Sequence, residues 1–126
     1  MDLYRSLADC AYDWIYLRAA DGSLTYTSPS CMRVTGYGPQ DFARDPRLLE
    51  RIVHPDDRPL FLSHLKKEAG SEEEISGFDF RIITSTGETR WINHACAGMK
   101  DGRGRIVARR ATNRDVTRRK ELEAEV

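Results

Sequence analysis

The chain has 126 residues, 40 % of them hydrophobic and 32 % charged. That size and composition fit one soluble domain that builds a core without metals or disulfides. Twenty Lys and Arg balance twenty Asp and Glu, which argues against the positive excess of a nucleic-acid footprint, and no apolar run approaches the ~20 residues that cross a bilayer.

Met1-Asp2-Leu3-Tyr4-Arg5 does not read as a signal peptide, so the expected setting is cytoplasmic, without membrane contact from this segment. Leu3, Leu7 and Ala11 recur at helical spacing, and residues 2–11 are read as a short amphipathic helix. Trp14-Ile15-Tyr16-Leu17, the turn Asp21-Gly22 and Leu24-Thr25-Tyr26-Thr27 form a strand pair. Ser28-Pro29-Ser30 ends the second strand and offers a helix cap, and a short helix through Cys31-Met32-Arg33-Val34 stops at Gly36. Gly38-Pro39 opens another short helical stretch with Phe42, Leu48, Leu49 and Ile52 as its apolar points.

His54-Pro55-Asp56-Asp57 is a helix-start signal, with proline near the first turn and carboxylates near the positive end of the dipole. The helix it starts runs from about Arg58 to Ala69 and stops at Gly70, and Ser71 to Glu74 is a solvated loop. Phe78, Phe80 and Ile82 alternate with Asp79 and Arg81, the period of a strand with one buried face. Turns at Ser85-Thr86-Gly87-Glu88 and Asp101-Gly102-Arg103-Gly104 separate two further strands, Thr89 to Met99 and Arg105 to Arg114. Beyond Thr117 the chain becomes a charged helix with only Leu122 and Val126 on one face. The expected fold class is α+β, a five-stranded antiparallel sheet with helices packed on one face, an N-terminal helix and a C-terminal exit helix. The expected boundaries are residues 1–12 for the N-terminal helix, 13–117 for the domain and 118–126 for the start of a linker helix.

Four stretches give the chain a resemblance. They are Tyr26-Thr27-Ser28-Pro29-Ser30 with Thr35-Gly36-Tyr37, His54-Pro55-Asp56-Asp57-Arg58, Thr86-Gly87-Glu88-Thr89-Arg90-Trp91-Ile92, and Asn113-Arg114-Asp115-Val116-Thr117. In this order they resemble a PAS domain with its C-terminal PAC portion, a PAS fold 3-like sensory module of a bacterial signalling protein. The resemblance implies an input domain of a histidine kinase or diguanylate cyclase, of two-component type, that senses a small molecule. It further implies a downstream effector domain in cis, and a homodimer is expected because the helix at residues 2–11 is too short to be stable alone and must bury its apolar stripe on this sheet or on a partner. The alternative is a ligand-free interaction and dimerisation module with a filled core. Fold alone does not specify the stimulus.

Catalytic constellations are missing: there is no phosphate-cradling glycine loop, no Gly-x-Ser-x-Gly elbow and no kinase signature set, so the domain is read as non-catalytic. His54, Asp56 and Asp57 are read as helix-start residues that satisfy free N–H groups. Cys10, Cys31 and Cys96 are odd in number, far apart and without CxxC or zinc-finger spacing, so they are read as reduced thiols and no metal is expected.

His64 lies beside Leu60 on the helical wheel, about 60° from Phe61 and about 100° from Leu65, bordering the apolar face. Haem-binding relatives use a histidine of this helix. A lone histidine at the edge of a stripe reads instead as a half-buried residue. The cysteine motif of flavin-based light sensors is absent, and Cys31 is read as packing. Alternation in Trp91 to Met99 permits Trp91, Asn93 and Ala95 inside, or Ile92, His94 and Cys96. The resemblance favours the second set.

In the last strand Arg109, Ala111 and Asn113 share one face and Arg110 and Thr112 the other. If the resemblance sets the register, Arg109 points toward the cavity near His94, where a bound carboxylate or phosphate would satisfy it. The alternative sends both arginines to solvent or to acids such as Asp79. The expected pocket is therefore Phe61, His64, Phe78, Phe80, Ile82, Ile92, His94 and Arg109, with a small anionic ligand, and the expected signal exit is Asp115 and Thr117.

Overall fold

The computed structural model describes residues 3–68 and 71–125. Five strands form one antiparallel sheet: β1 Trp14–Arg18, β2 Leu24–Thr27, β3 Ile75–Ile83, β4 Thr89–Lys100 and β5 Ile106–Asp115. Their order across the sheet is β2-β1-β5-β4-β3. The last strand is therefore the central one, paired with β1 on one side and β4 on the other.

The helices are α1 Leu3–Asp9, α2 Cys31–Thr35, α3 Pro39–Arg44, α4 Leu48–Ile52, α5 Arg58–Glu68 and α6 Thr117–Ala124. Residues of α2 to α5 share one core with the inner face of the sheet, where Trp14, Tyr16, Phe80, Ile82, Ile92, Cys96 and Ala111 point. The expected ends at Asp2, at Ala69-Gly70 and at Val126 lie outside the described residues.

Local chemistry sets the boundaries. Gly36 ends α2 at φ 80°, and a Cβ there would meet Ser85 Oγ at 2.1 Å, so both the left-handed turn and the close packing need glycine. Ser30 makes no side-chain cap on α2. Its hydroxyl donates to the Asp13 carbonyl at 2.8 Å instead, fastening the helix entry to the start of β1. A 3-10 turn over Pro55–Asp57 precedes α5, and His54 Nδ1 accepts from Asp56 N–H at 3.1 Å. Asp57 does not cap the helix as expected; its carboxylate takes the backbone and guanidinium N–H groups of Arg81 on β3.

α1 turns its leucines away from the sheet. Ala8 is buried, but Leu3 and Leu7 are 73 % and 67 % exposed, so the sheet of this chain does not cover them. The Tyr26 hydroxyl hydrogen-bonds Asp9 at the end of the helix. Tethering by its C-terminal end leaves the apolar stripe outward.

Candidate functional site: a buried polar cluster between the long helix and the sheet

Strand alternation settles the facing of β4. Ile92, His94 and Cys96 are buried inward and Trp91 lies on the opposite side. On β5 the same rule sends Arg109, Ala111 and Asn113 inward and leaves Arg110 exposed. α5 lies over these strands and presents Phe61, His64, Leu65 and Glu68 to them. The spacing of four between His64 and Glu68 puts both on one side of the helix, and their Nε2 and Oε2 atoms are 3.0 Å apart.

Around Glu68 the charges converge. Oε1 accepts from Arg18 Nη1 on β1 at 3.1 Å, and Oε2 lies 3.6 Å from Arg109 Nε on β5. The Cys96 thiol donates to the same Oε2 at 3.3 Å, and Arg109 Nη2 is 3.3 Å from Cys96 Sγ. Arg109 also donates to the Ser71 carbonyl at 2.8 Å. Arg109 thus points inward, but its acid is Glu68. Asp79 lies with Asn93, Arg119 and Lys120 instead.

His94 sits beneath this group, 1 % exposed. Asn113 Nδ2 donates to the Trp14 carbonyl, which turns its Oδ1 toward His94 Nδ1 at 2.7 Å. Nδ1 must therefore carry the proton, and Nε2 is a bare lone pair. Among the described residues that atom has no hydrogen-bond partner.

Burial, opposed by the Asn113 hydrogen bond and assisted by the nearby His64, depresses the His94 pKa to about 4. The ring is neutral at pH 7. Burial also pushes the Cys96 thiol up to about 11, despite Arg109, and drives the Tyr16 phenol well above its usual range. Burial pushes the Glu68 carboxyl up, but hydrogen bonds from His64 and Cys96 and the charges beside it hold it below the ordinary value. The cluster is thus one buried carboxylate held by two arginines, with two imidazoles and a thiol around it.

The expected pocket residues divide into two groups. His64, His94 and Arg109 come together in the polar cluster. Phe78 stacks on His64 at 4.5 Å between ring centres, and Phe61 packs on Phe80 at 5.1 Å. Ile82 and Ile92 lie in the apolar core, Ile82 bridging to Val53. Sequence reasoning left out Glu68, Arg18, Tyr16 and Asn113. The four-residue step from His64 was the available signal for Glu68.

Next to the cluster a cavity of about 240 Å³ is lined by Arg18, Leu65, Glu68, Ile106 and Arg109, among others. A wider groove of about 810 Å³ lies on the outer face, bordered by Tyr12, Ile15, Arg33, Thr112 and Arg118. At the sheet's exit, Thr117 Oγ1 donates to Asp115 Oδ1 at 2.6 Å and accepts from Trp91 N–H at 2.9 Å. Thr117 N–H donates to the same carboxylate at 3.0 Å. Lys120 of α6 sits 4.9 Å above the Trp91 ring.

Comparison with known proteins agrees with this architecture. The chain is 26 % identical over 88 residues to the methyl sulfide methyltransferase-associated sensor of Methanosarcina acetivorans, a match covering 70 % of this chain and 9 % of that protein. It is 34 % identical over 55 residues to the blue light receptor lreB of Aspergillus flavus, covering 44 % and 10 %. The chain therefore spans about a tenth of the curated relatives it matches. Among solved structures, a PAS domain from Colwellia psychrerythraea aligns with a TM-score of 0.77 and 18 % identity, covering 91 % of this chain and 95 % of that one. The N-terminal domain of a diguanylate cyclase with PAS/PAC sensor from Marinobacter aquaeolei aligns with a TM-score of 0.71 and 17 % identity, covering 85 % and 97 %. The profile of the PAS fold matches residues 24–113, and with the antiparallel sheet and its strand order established, the chain belongs to the PAS fold family.

Proposed function

We propose that this chain is the non-catalytic signal-input domain of a larger signalling protein of the histidine kinase or diguanylate cyclase kind. It takes up a small polar or anionic molecule and relays that event through α6 to an effector domain in cis. The cavity beside Glu68 carries the reading: about 240 Å³, it is lined by Arg18, Glu68 and Arg109. A space of that volume suits a few heavy atoms, below the usual range for drug-sized ligands, and two guanidiniums favour a carboxylate or phosphate. A ligand there would touch Arg109 directly and bear on His64, His94, Phe78, Phe80 and Phe61 behind it. β5 connects Arg109 to Asp115, and the hydrogen bonds of Asp115 and Thr117 hold the outgoing helix. The exposed Leu3 and Leu7 fit a homodimer that covers them, and the balanced charge with free thiols fits a cytoplasmic setting.

A second reading is a ligand-free scaffold, favoured by the aromatic interior in which Phe61, Phe78 and Phe80 pack at centroid distances of 5.1 and 5.4 Å. Thermal unfolding in the presence of short mono- and dicarboxylates and inorganic phosphate separates the two. Sensing predicts that one of them stabilises the chain by roughly 3 kcal/mol at a hundredfold excess over Kd, and that Arg109→Ala abolishes the effect. Unchanged binding by that variant overturns the anion site, and no response to any of them favours the scaffold.

A further inference from the structure

His64, Glu68, His94 and Cys96 each offer a ligand atom, and these four atoms all lie within 4.8 Å of one another. Three of them already form a small triangle: His64 Nε2 to Glu68 Oε2 is 3.0 Å, Glu68 Oε2 to Cys96 Sγ is 3.3 Å, and Cys96 Sγ to His64 Nε2 is 3.6 Å. Metal–ligand bonds of about 2.0–2.3 Å in a tetrahedron put donors about 3.3–3.8 Å apart. The triangle is one face of such a tetrahedron to within a few tenths of an ångström. His94 is the fourth corner, and the longest separation in the set would shorten by about 1 Å on closure.

The groups behind the donors are also in place. His94 Nε2 is the buried lone pair without a partner among the described residues, and Nδ1–H is held by the Asn113 carbonyl oxygen, the arrangement that orients metal-bound histidines. Arg18 occupies Glu68 Oε1, which leaves Oε2 facing the other donors. Arg109 Nη2 points at Cys96 Sγ and suits a thiolate better than a thiol.

We propose that these four side chains bind one thiophilic transition-metal ion of the Zn²⁺ class. The atoms and charges balance: the ion takes both nitrogen lone pairs, the carboxylate and the thiolate. The Cys96 proton leaves to solvent, and the His64 proton moves from Nε2 to Nδ1. Two guanidiniums beside the site disfavour hard ions such as Mg²⁺ and Ca²⁺, whose binding rests on accumulated negative charge and oxygen ligands. A thiolate and two imidazoles bind Zn²⁺ or Co²⁺ through softer, more covalent bonds. The cavity beside Glu68 is the route of entry. The ion would bind whether or not the domain passes a signal on.

The test titrates Co²⁺ into the reduced, metal-free 126-residue chain. The expected result is one equivalent bound, with a sulfur-to-cobalt charge-transfer band and tetrahedral ligand-field absorption, both removed by Zn²⁺. Cys96→Ser loses the charge-transfer band, and Asn113→Ala weakens binding roughly 10- to 100-fold. Cys10→Ser combined with His54→Gln changes neither. In the wild-type chain, paramagnetic shifts centred between α5 and β4 locate the ion without any substitution. A missing sulfur band, a band that survives Cys96→Ser, or shifts centred elsewhere overturns the site.

Discussion

Asp57 gathers three donors from a single residue: Arg81 N–H at 2.7 Å, Nε at 3.0 Å and Nη2 at 2.7 Å. These Arg81 bonds hold its carboxyl below the usual range, so the fold favours the charged form. Asp57→Asn is expected to lower stability at pH 7 by roughly 2 kcal/mol. A depressed folded pKa means that this contribution is full above the ordinary carboxylate value of about 3.9 and fades as pH falls through the folded one. The gap between wild type and variant in urea unfolding therefore narrows below that pH, and a gap constant with pH contradicts the ion pair. Residues 54–57 announced a helix start correctly, yet the reach of Asp57 to β3, 24 positions away, is a tertiary choice that local rules do not contain. Glu68 is the same case. Its step from His64 was legible, but a glutamate near a helix end reads as solvated until Arg18, 50 positions away, is brought to it by the sheet.

At the level of elements, period-two alternation gave β3, the turns at residues 85–88 and 101–104 gave β4 and β5, and the resemblance resolved the facing of β4 in favour of Ile92, His94 and Cys96. The inward turn of Arg109 followed from the same register. Its buried acid did not, because one strand's pattern says nothing about the helix above it. Gly98 shows a similar gap. Its sequence context gave no reason for glycine, but a Cβ there would meet the Ser71 carbonyl oxygen at 2.5 Å and Glu72 Cα at 2.7 Å. The loop after α5 lies directly on β4 at this point, and Arg109 holds it by the Ser71 carbonyl. Gly98→Ala is expected to cost about 1–3 kcal/mol, read as a lowered Tm, because backbone rather than a movable side chain stands in the way. A Tm equal to wild type would mean that the loop is not seated there.

For the molecule as a whole, the exit of the chain is fixed to β4 rather than left loose. Val116 N–H donates to the Trp91 carbonyl at 2.9 Å, and Thr117 closes the same junction from the side-chain end. Thr117→Val keeps the shape and removes both hydroxyl bonds. A loss of about 1 kcal/mol in local stability predicts roughly fivefold faster amide exchange over residues 117–124, with the strands unaffected. Equal protection in the variant would show that the hydroxyl does not hold the helix.

The central position of β5 bears on how the chain assembles. Trp14 and Asn113 touch across 99 positions of sequence, whereas β1 with β2 and β3 with β4 are each joined locally as hairpins. Until residues 106–115 arrive, no strand joins those two ribbons, and synthesis delivers that seam after both of them. Joining ends so remote is entropically slow, so the nascent chain waits with its sheet unjoined, and a stop before Ile106 leaves two hairpins that no strand connects rather than a smaller version of the domain.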